Sequence, residues 1–231
     1  MLVGSCRQAP SPCGSDALWN PPGSYPARMD KTSFDTNALS GLDRYKLLIG
    51  LVVPRPIGWI GTVDSHGRRN LAPYSFFNVV AGTPPTVLFS AGRRAGDEKD
   101  SLRAVRETGE FSVNIVTETT AEAMNQTSGD YPPNVDEFEV AGLTAVTGDV
   151  VRAPLVAEAA ANLECRVTQI VDLPQQPTNS VVFGEVVRIH VASTVLDGTR
   201  VMPEALKAVG RMAGSGYSRT ADGLFEMDRP N

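Results

Sequence analysis

Strand-like runs follow one another along this chain by hairpin, and that succession limits its possible folds more than any other feature. Ile57 to Val63 is strand-like, Asp64-Ser65-His66-Gly67 is a turn, and Asn70 to Val80 reads as the returning strand. Thr83-Pro84-Pro85 breaks that run before a short apolar strand, Thr86 to Ser90. Phe111 to Val116 reads as a further buried strand. Leu163 to Leu173 and Val181 to Val195 read as two long strands joined by Pro174 to Asn179. Runs of this kind are expected to build a mainly β, antiparallel barrel or sandwich of Greek-key type rather than a βαβ sheet. No G-x-G-x-x-G follows a strand and no G-x-x-x-x-G-K-[ST] occurs, so neither a Rossmann nor a P-loop nucleotide site is expected.

Helices are inserted between these runs. Leu47, Leu48, Leu51 and Val52 give Leu42 to Val53 a rough helical stripe, and Pro54 stops it. Asp100 to Thr108 reads as a helix with Asp100 or Ser101 as N-cap and Gly109 as its stop. Thr117 to Thr127 and Pro203 to Val209 read as helices, and the chain from Gly214 on as an irregular end. Residues 1–28 carry Pro10, Pro12, Pro21, Pro22 and Pro26 among Gly and Ser, with no period of either kind. They read as a disordered extension, with one domain over 29–231 and Met29 as a candidate biological start.

Composition removes several classes of function. The chain has 231 residues and a net charge of −5, which disfavours broad nucleic-acid binding because phosphate neutralisation needs a basic surface. Cys6, Cys13 and Cys165 form no C-x-x-C pair, and His66 and His190 are the only histidines, so neither a disulfide framework nor a metal site is expected. No apolar run approaches the ~20 residues of a membrane-spanning helix. The expected setting is the reduced cytoplasm. His66 reads as a turn residue, His190 as a packing or edge residue and Cys165 as a small buried apolar group. Glu185 reads as a cross-strand partner.

The stretch from Pro54 to Ser101 carries the residue types that a flat ring bearing a phosphate requires. A phosphate dianion needs charge-assisted donors, and Arg55, Ser75, Lys99 and Ser101 are of that type, with Arg93 and Arg94 as further nearby cations. A helix beginning near Asp100 would aim its free N–H groups at the same anion. Trp59, Tyr74, Phe76 and Phe77 could supply a ring face, although strand aromatics more often belong to the core. Alternation along Asn70 to Asn78 puts Ala72, Tyr74, Phe76 and Asn78 on one side and Pro73, Ser75 and Phe77 on the other. Pro73 would interrupt the ladder and free backbone groups for a ligand.

Taken in order, Tyr45-Lys46-Leu47-Leu48, Val53-Pro54-Arg55-Pro56-Ile57, Asn70 through Asn78, Pro84-Pro85, Lys99-Asp100-Ser101 and Phe111-Ser112-Val113-Asn114-Ile115 resemble the flavin reductase-like domain family. The resemblance continues through Glu164-Cys165, Gly184-Glu185-Val186 and Val209-Gly210-Arg211 to Tyr217. It implies an FMN-binding split β-barrel, usually a homodimer with flavin near the subunit interface. It implies FMN contacts from Asn70 and from Ala72, Pro73, Tyr74, Ser75 and Asn78, with phosphate contacts from Lys99 and Ser101. Arg55 would lie close to the flavin, and Arg211 and Tyr217 complete the implied set. The implied activity is reduction of flavin by NADH or NADPH, with hydride passing to flavin N5. That reaction needs no protein nucleophile, only two rings held at reacting distance. A monooxygenase or another acceptor would take the electrons. Two other readings stand beside it: an FMN-holding electron-transfer or redox-sensing module without nicotinamide turnover, and a barrel without flavin that serves another ligand or a structural role.

Overall fold

The structure is a computed structural model that describes residues 29–94, 97–173 and 179–229. The expected extension over 1–28 and most of the expected joint at 174–178 lie outside the described residues, as does the Arg94 side chain. The chain divides into two compact units, Met1–Leu39 with Phe225–Asn231, and Ser40–Leu224. The described part of the smaller unit carries no helix or strand, and Asp35 closes a turn by accepting the N–H groups of Asn37 and Ala38.

The larger unit opens with helix α1 (Gly41–Leu51), whose N-cap Ser40 accepts the N–H of Asp43. The strands that follow are β1 (Gly58–Val63), β2 (Arg69–Tyr74), β3 (Phe77–Gly82) and β4 (Pro85–Arg94). Next come α2 (Asp100–Thr108), β5 (Glu110–Ile115) and α3 (Ala121–Gln126), and then the two long strands β6 (Ala161–Asp172) and β7 (Asn179–Val191). They form one antiparallel sheet in the order β2-β1-β5-β6-β7-β4-β3, with Asp97–Glu98 pairing the end of β4. The fold is the antiparallel Greek-key split barrel that the family resemblance implies, within the barrel-or-sandwich class that the hairpin succession predicts.

One correction to the expected strands explains how the barrel closes. Asn70 to Val80 is not a single returning strand. It is β2 and β3, parted at Ser75 and Phe76, and these two strands occupy opposite ends of the sheet order. Two residues span only about 7 Å. The sheet must therefore curl until its two edges meet at that link, where Ser90 N–H donates to the Phe76 carbonyl (2.8 Å). The break also shifts the alternation, so Tyr74 and Phe77 are both buried while Phe76 is 42% exposed.

Both faces of β1 are covered, which is why it reads as a continuous apolar run. Ile60 joins a core with Tyr74, Phe89, Phe111, Val113 and Val182, while Trp59 joins a second core with Leu71, Met124 and Phe138. Phe89 packs on Tyr74 and edge-on to Phe111, with centroids 5.0 and 5.2 Å apart. Gly184 is required beneath Phe111, because a Cβ there would stand 2.4 Å from the ring. Helix α2 buries Leu102 and Val105 and ends at Gly109 in the left-handed conformation (φ 68°), as its sequence predicts. Its N-cap is Lys99 rather than Asp100 or Ser101. The other expected helices shrink to Ala121–Gln126 and Pro203–Leu206. The end expected to be irregular from Gly214 on holds a strand, β9 (Tyr217–Arg219), which forms a small hairpin with β8 (Val209–Arg211); β8 also pairs with Arg55–Pro56.

Candidate functional site

Two cavities, about 460 and 410 Å³, adjoin along the seam and share Pro73, Tyr74, Lys99 and Ser128. Each falls within the ~300–1,000 Å³ usual for small-molecule sites. The seam creates them. Strand β2 is a sheet edge, where Pro73 costs no ladder bond, so its backbone faces open space. The larger cavity, here the α2 cavity, reaches Asn70, Ala72 and Ser101 and is closed by the loop Thr127–Tyr131 and by Glu137. The smaller one, the hairpin cavity, runs along Ser75 and Phe76 toward Asn125, Arg211 and Tyr217.

Of the residues expected to form the site, Asn70, Ala72, Pro73, Tyr74, Ser75, Lys99, Ser101, Arg211 and Tyr217 line one or both cavities. Lys99 stands at their boundary. Its Nζ lies 5.4 Å from the centre of the Tyr74 ring, and it makes no ion pair with a carboxylate among the described residues. Ser101 is buried, and its hydroxyl accepts from Asn70 Nδ2 at 2.8 Å, so it braces Asn70 at the start of α2. The Tyr74 hydroxyl lies beside Ser101 without a hydrogen bond of normal geometry. Burial pushes its pKa up to about 12, outweighing the opposing effect of the Ser101 hydroxyl, so it stays a neutral donor. Burial likewise raises the Glu137 carboxyl at the far wall, against the hydrogen bond from Leu71 N–H.

Two expected residues face elsewhere. Asn78 lines neither cavity; its Oδ1 accepts the Val79 N–H, and it borders a mostly apolar cavity of about 430 Å³ beside α1. Arg55 is buried with its guanidinium turned inward. Its nitrogens donate to the carbonyls of Ile49 (2.7 Å), Val52 (2.9 Å) and Met212 (3.1 Å), with Ser75 Oγ at 3.4 Å. It ties α1 and the β8–β9 hairpin to the seam instead of presenting a cation to a ligand. Three of the suggested ring-face aromatics are core residues: Trp59 is fully buried, with Nε1 donating to Thr127 Oγ1 (2.9 Å), Phe77 packs in the first core, and Tyr74 packs there while also lining both cavities. Arg93 pairs with Glu98. The wall formed by Asn125, Thr127, Ser128, Tyr131 and Glu137 went unforeseen, because its residues meet β2 only through the fold.

Outside the seam, Asp149, Glu164 and His190 bring possible ligand atoms within 4.8 Å of one another. Glu164 is already saturated. It is fully buried and accepts the N–H groups of Asp149, Val150 and Val151 as well as a 2.6 Å contact with His190 Nε2. The cluster is a backbone clamp rather than a metal cradle, and His190 has a more definite partner than its edge position suggested. His66 sits in the expected turn, Cys165 is buried with its thiol pKa raised by desolvation, and Glu185 stands opposite Arg166 in the β6–β7 register.

The family model described as flavin reductase like domain matches residues 50–205. An uncharacterized protein of Aquifex aeolicus is 43% identical over 175 residues, 75% of this chain and 88% of its own length. Among solved structures, nitrilotriacetate monooxygenase component B from Bacillus cereus superposes with a TM-score of 0.84 at 37% identity, covering 87% of this chain and all (100%) of that one. The 2-nitrobenzoate 2-nitroreductase NbaA of Pseudomonas fluorescens gives 0.78 at 30% identity, covering 86% of this chain and 96% of that one.

Proposed function

We propose, since this chain belongs to the flavin reductase like domain family, that it is an FMN-binding oxidoreductase that takes electrons from NADH or NADPH and passes them to a partner. The observation that carries this reading is the pair of cavities along the seam, with Lys99 at their junction and no carboxylate paired to it among the described residues. The residues present fit FMN on three grounds. The Tyr74 hydroxyl is buried beside Ser101 without a hydrogen bond of normal geometry. Lys99 and the first turn of α2 offer charge and N–H groups at one point. The edge backbone from Ala72 to Ser75 offers a flat wall.

FMN, when bound, supplies the hydride-accepting centre at its N5. The protein's part is position. Lys99 would hold the phosphate, with Asn70, braced by Ser101, beside it. Pro73 to Phe76 would support the ring, and the nicotinamide would stack on its open face from the hairpin cavity. Tyr74 stays protonated and able to donate.

A homodimer accords with the surface. Helix α1 buries none of its residues, and Leu48, Leu51 and Val52 are exposed beside the apolar cavity that Phe76 and Leu88 line. A second copy over this face would also cover the Phe76 side of the seam. Likeness to a monooxygenase component favours a monooxygenase as the electron acceptor. Among the described residues no helix is long and apolar enough to cross a membrane.

Rapid anaerobic mixing of the FMN-loaded protein with NADH or NADPH tests the reading. Bleaching of the flavin absorbance within seconds is expected; a flavin that stays oxidised would leave the electron-carrier reading in its place. Lys99→Ala is expected to weaken FMN binding by about 1–3 kcal/mol, through loss of a charged hydrogen bond. Equal FMN affinity in fluorescence titrations of both proteins would remove Lys99 from the phosphate site.

A further inference from the structure

We propose that Arg211 recognises the diphosphate of the nicotinamide dinucleotide, which makes the hairpin cavity the entry side for that substrate; this rests on the nicotinamide-dependent reading above. The first observation is a partition of charge along the seam. Among the described residues, Lys99 and Arg211 line the hairpin cavity together with no Asp or Glu. Asp97, Glu98, Asp100, Asp130 and Glu137 line the α2 cavity with Lys99 and Arg103; Asp100 is paired with Arg103, and Glu98 with Arg93 and Arg106. With the flavin phosphate held by Lys99 and the first turn of α2, a second polyanion entering the seam is drawn to Arg211 at the hairpin end.

The second observation concerns Arg211 itself. Lys99 serves the flavin phosphate in the proposed arrangement, so Arg211 is the cation of the hairpin cavity left without an anion. Arg68, Arg69, Arg103, Arg106, Arg152 and Arg219 each meet a carboxylate, whereas Arg211 has no ion pair among the described residues. Its guanidinium donates to the Gly214 carbonyl and stacks 4.5 Å from the centre of the Tyr217 ring. It is held there before any ligand arrives. Arg211 and Tyr217 are direct partners in the β8–β9 register, Met212 N–H closes the turn onto the Gly216 carbonyl (3.0 Å), and Tyr217 donates to Asn125 Oδ1 (3.2 Å). A planar fork fixed in the lining of this cavity suits bidentate recognition of phosphate oxygens.

The test compares FMN-loaded wild type with Arg211→Gln and Arg211→Lys. ADP-ribose carries the diphosphate and transfers no hydride, and adenosine lacks the phosphates. By calorimetry, Arg211→Gln is expected to weaken ADP-ribose binding roughly 10–100-fold, the range for a lost charge-assisted hydrogen bond. Adenosine should be unaffected, and Arg211→Lys should recover part of the loss. In steady state the KM for NADH should rise by a similar factor. 1-Benzyl-1,4-dihydronicotinamide, which has the ring but no phosphate, should lose far less of its rate in Arg211→Gln than NADH does. Equal ADP-ribose affinity in wild type and Arg211→Gln overturns the proposal. So does a matching loss of FMN affinity, which would give Arg211 to the flavin phosphate, or an equal loss of turnover with the benzyl compound. Failure of the underlying reading has a different signature: wild type reduced by the benzyl compound but neither reduced by NADH nor able to bind ADP-ribose.

Discussion

Glu164→Ala is expected to lower the unfolding free energy by about 3 kcal/mol, although Glu164 lies outside the seam. Burial alone would raise the pKa of this carboxyl. The contact with His190 and the amides of Val151, Val150 and Asp149 outweigh it and bring the pKa from 4.5 to about 2. At ~1.4 kcal/mol per unit, that difference is a stabilisation of about 3 kcal/mol. Gly148 makes room for the clamp, since a Cβ there would stand 2.5 Å from Glu164 Oε2. Truncation leaves three backbone N–H groups without their acceptor. The pH dependence has a definite sign. A carboxylate with a depressed folded pKa stabilises fully above its unfolded value, so the contribution is whole above about pH 4.5 and fades as pH falls toward about 2. Denaturant unfolding at neutral pH and at pH 3 should therefore show the gap between wild type and variant narrowing in acid. A gap of the same size at both would show that the charge is not what matters.

Arg55→Met should cost a similar amount, about 3 kcal/mol, and its effect should be concentrated in α1 and the β8–β9 hairpin. The guanidinium satisfies the carbonyls of Ile49, Val52 and Met212, and hydrogen bonds to a charged donor contribute ~1.5–3 kcal/mol each without adding fully. Helix α1 buries none of its residues within the chain, so this tether carries much of its attachment. Amide hydrogen exchange across Gly41–Leu51 should accelerate in the variant, and the apparent affinity for nicotinamide dinucleotide should fall because Arg211 adjoins the released Met212. Wild-type protection of α1 amides in Arg55→Met would contradict this role.

Local sequence chemistry made much of the fold readable. The turn at Asp64–Gly67, the stop at Gly109 and the long β6–β7 pair all follow from turn residues and period, and each is found within a few residues of its expected place. The seam was not readable from pattern, because no Gly or Pro stands at Ser75 and Phe76 to mark where β2 ends and β3 begins. A strand buried on both faces, such as β1, shows no alternation, so Trp59 looked as available to a ligand as Phe76. Residue type identified Lys99, Tyr74 and Ser75 as site candidates, since anion and ring recognition draw on few side chains. The same reasoning could not foresee that Arg55 is spent on a carbonyl 157 residues away, or that the loop after α3 forms the opposite wall. Those are consequences of long-range closure, which local pattern does not encode.

Whether the seam between the two barrel edges receives one FMN molecule, as proposed, is decided by a crystal structure of the protein grown with FMN. The expected result is a flavin ring against Pro73 to Phe76 with its phosphate within hydrogen-bond reach of Lys99 and the first turn of α2. A ring seated elsewhere on the barrel, or a phosphate remote from Lys99, would contradict the account.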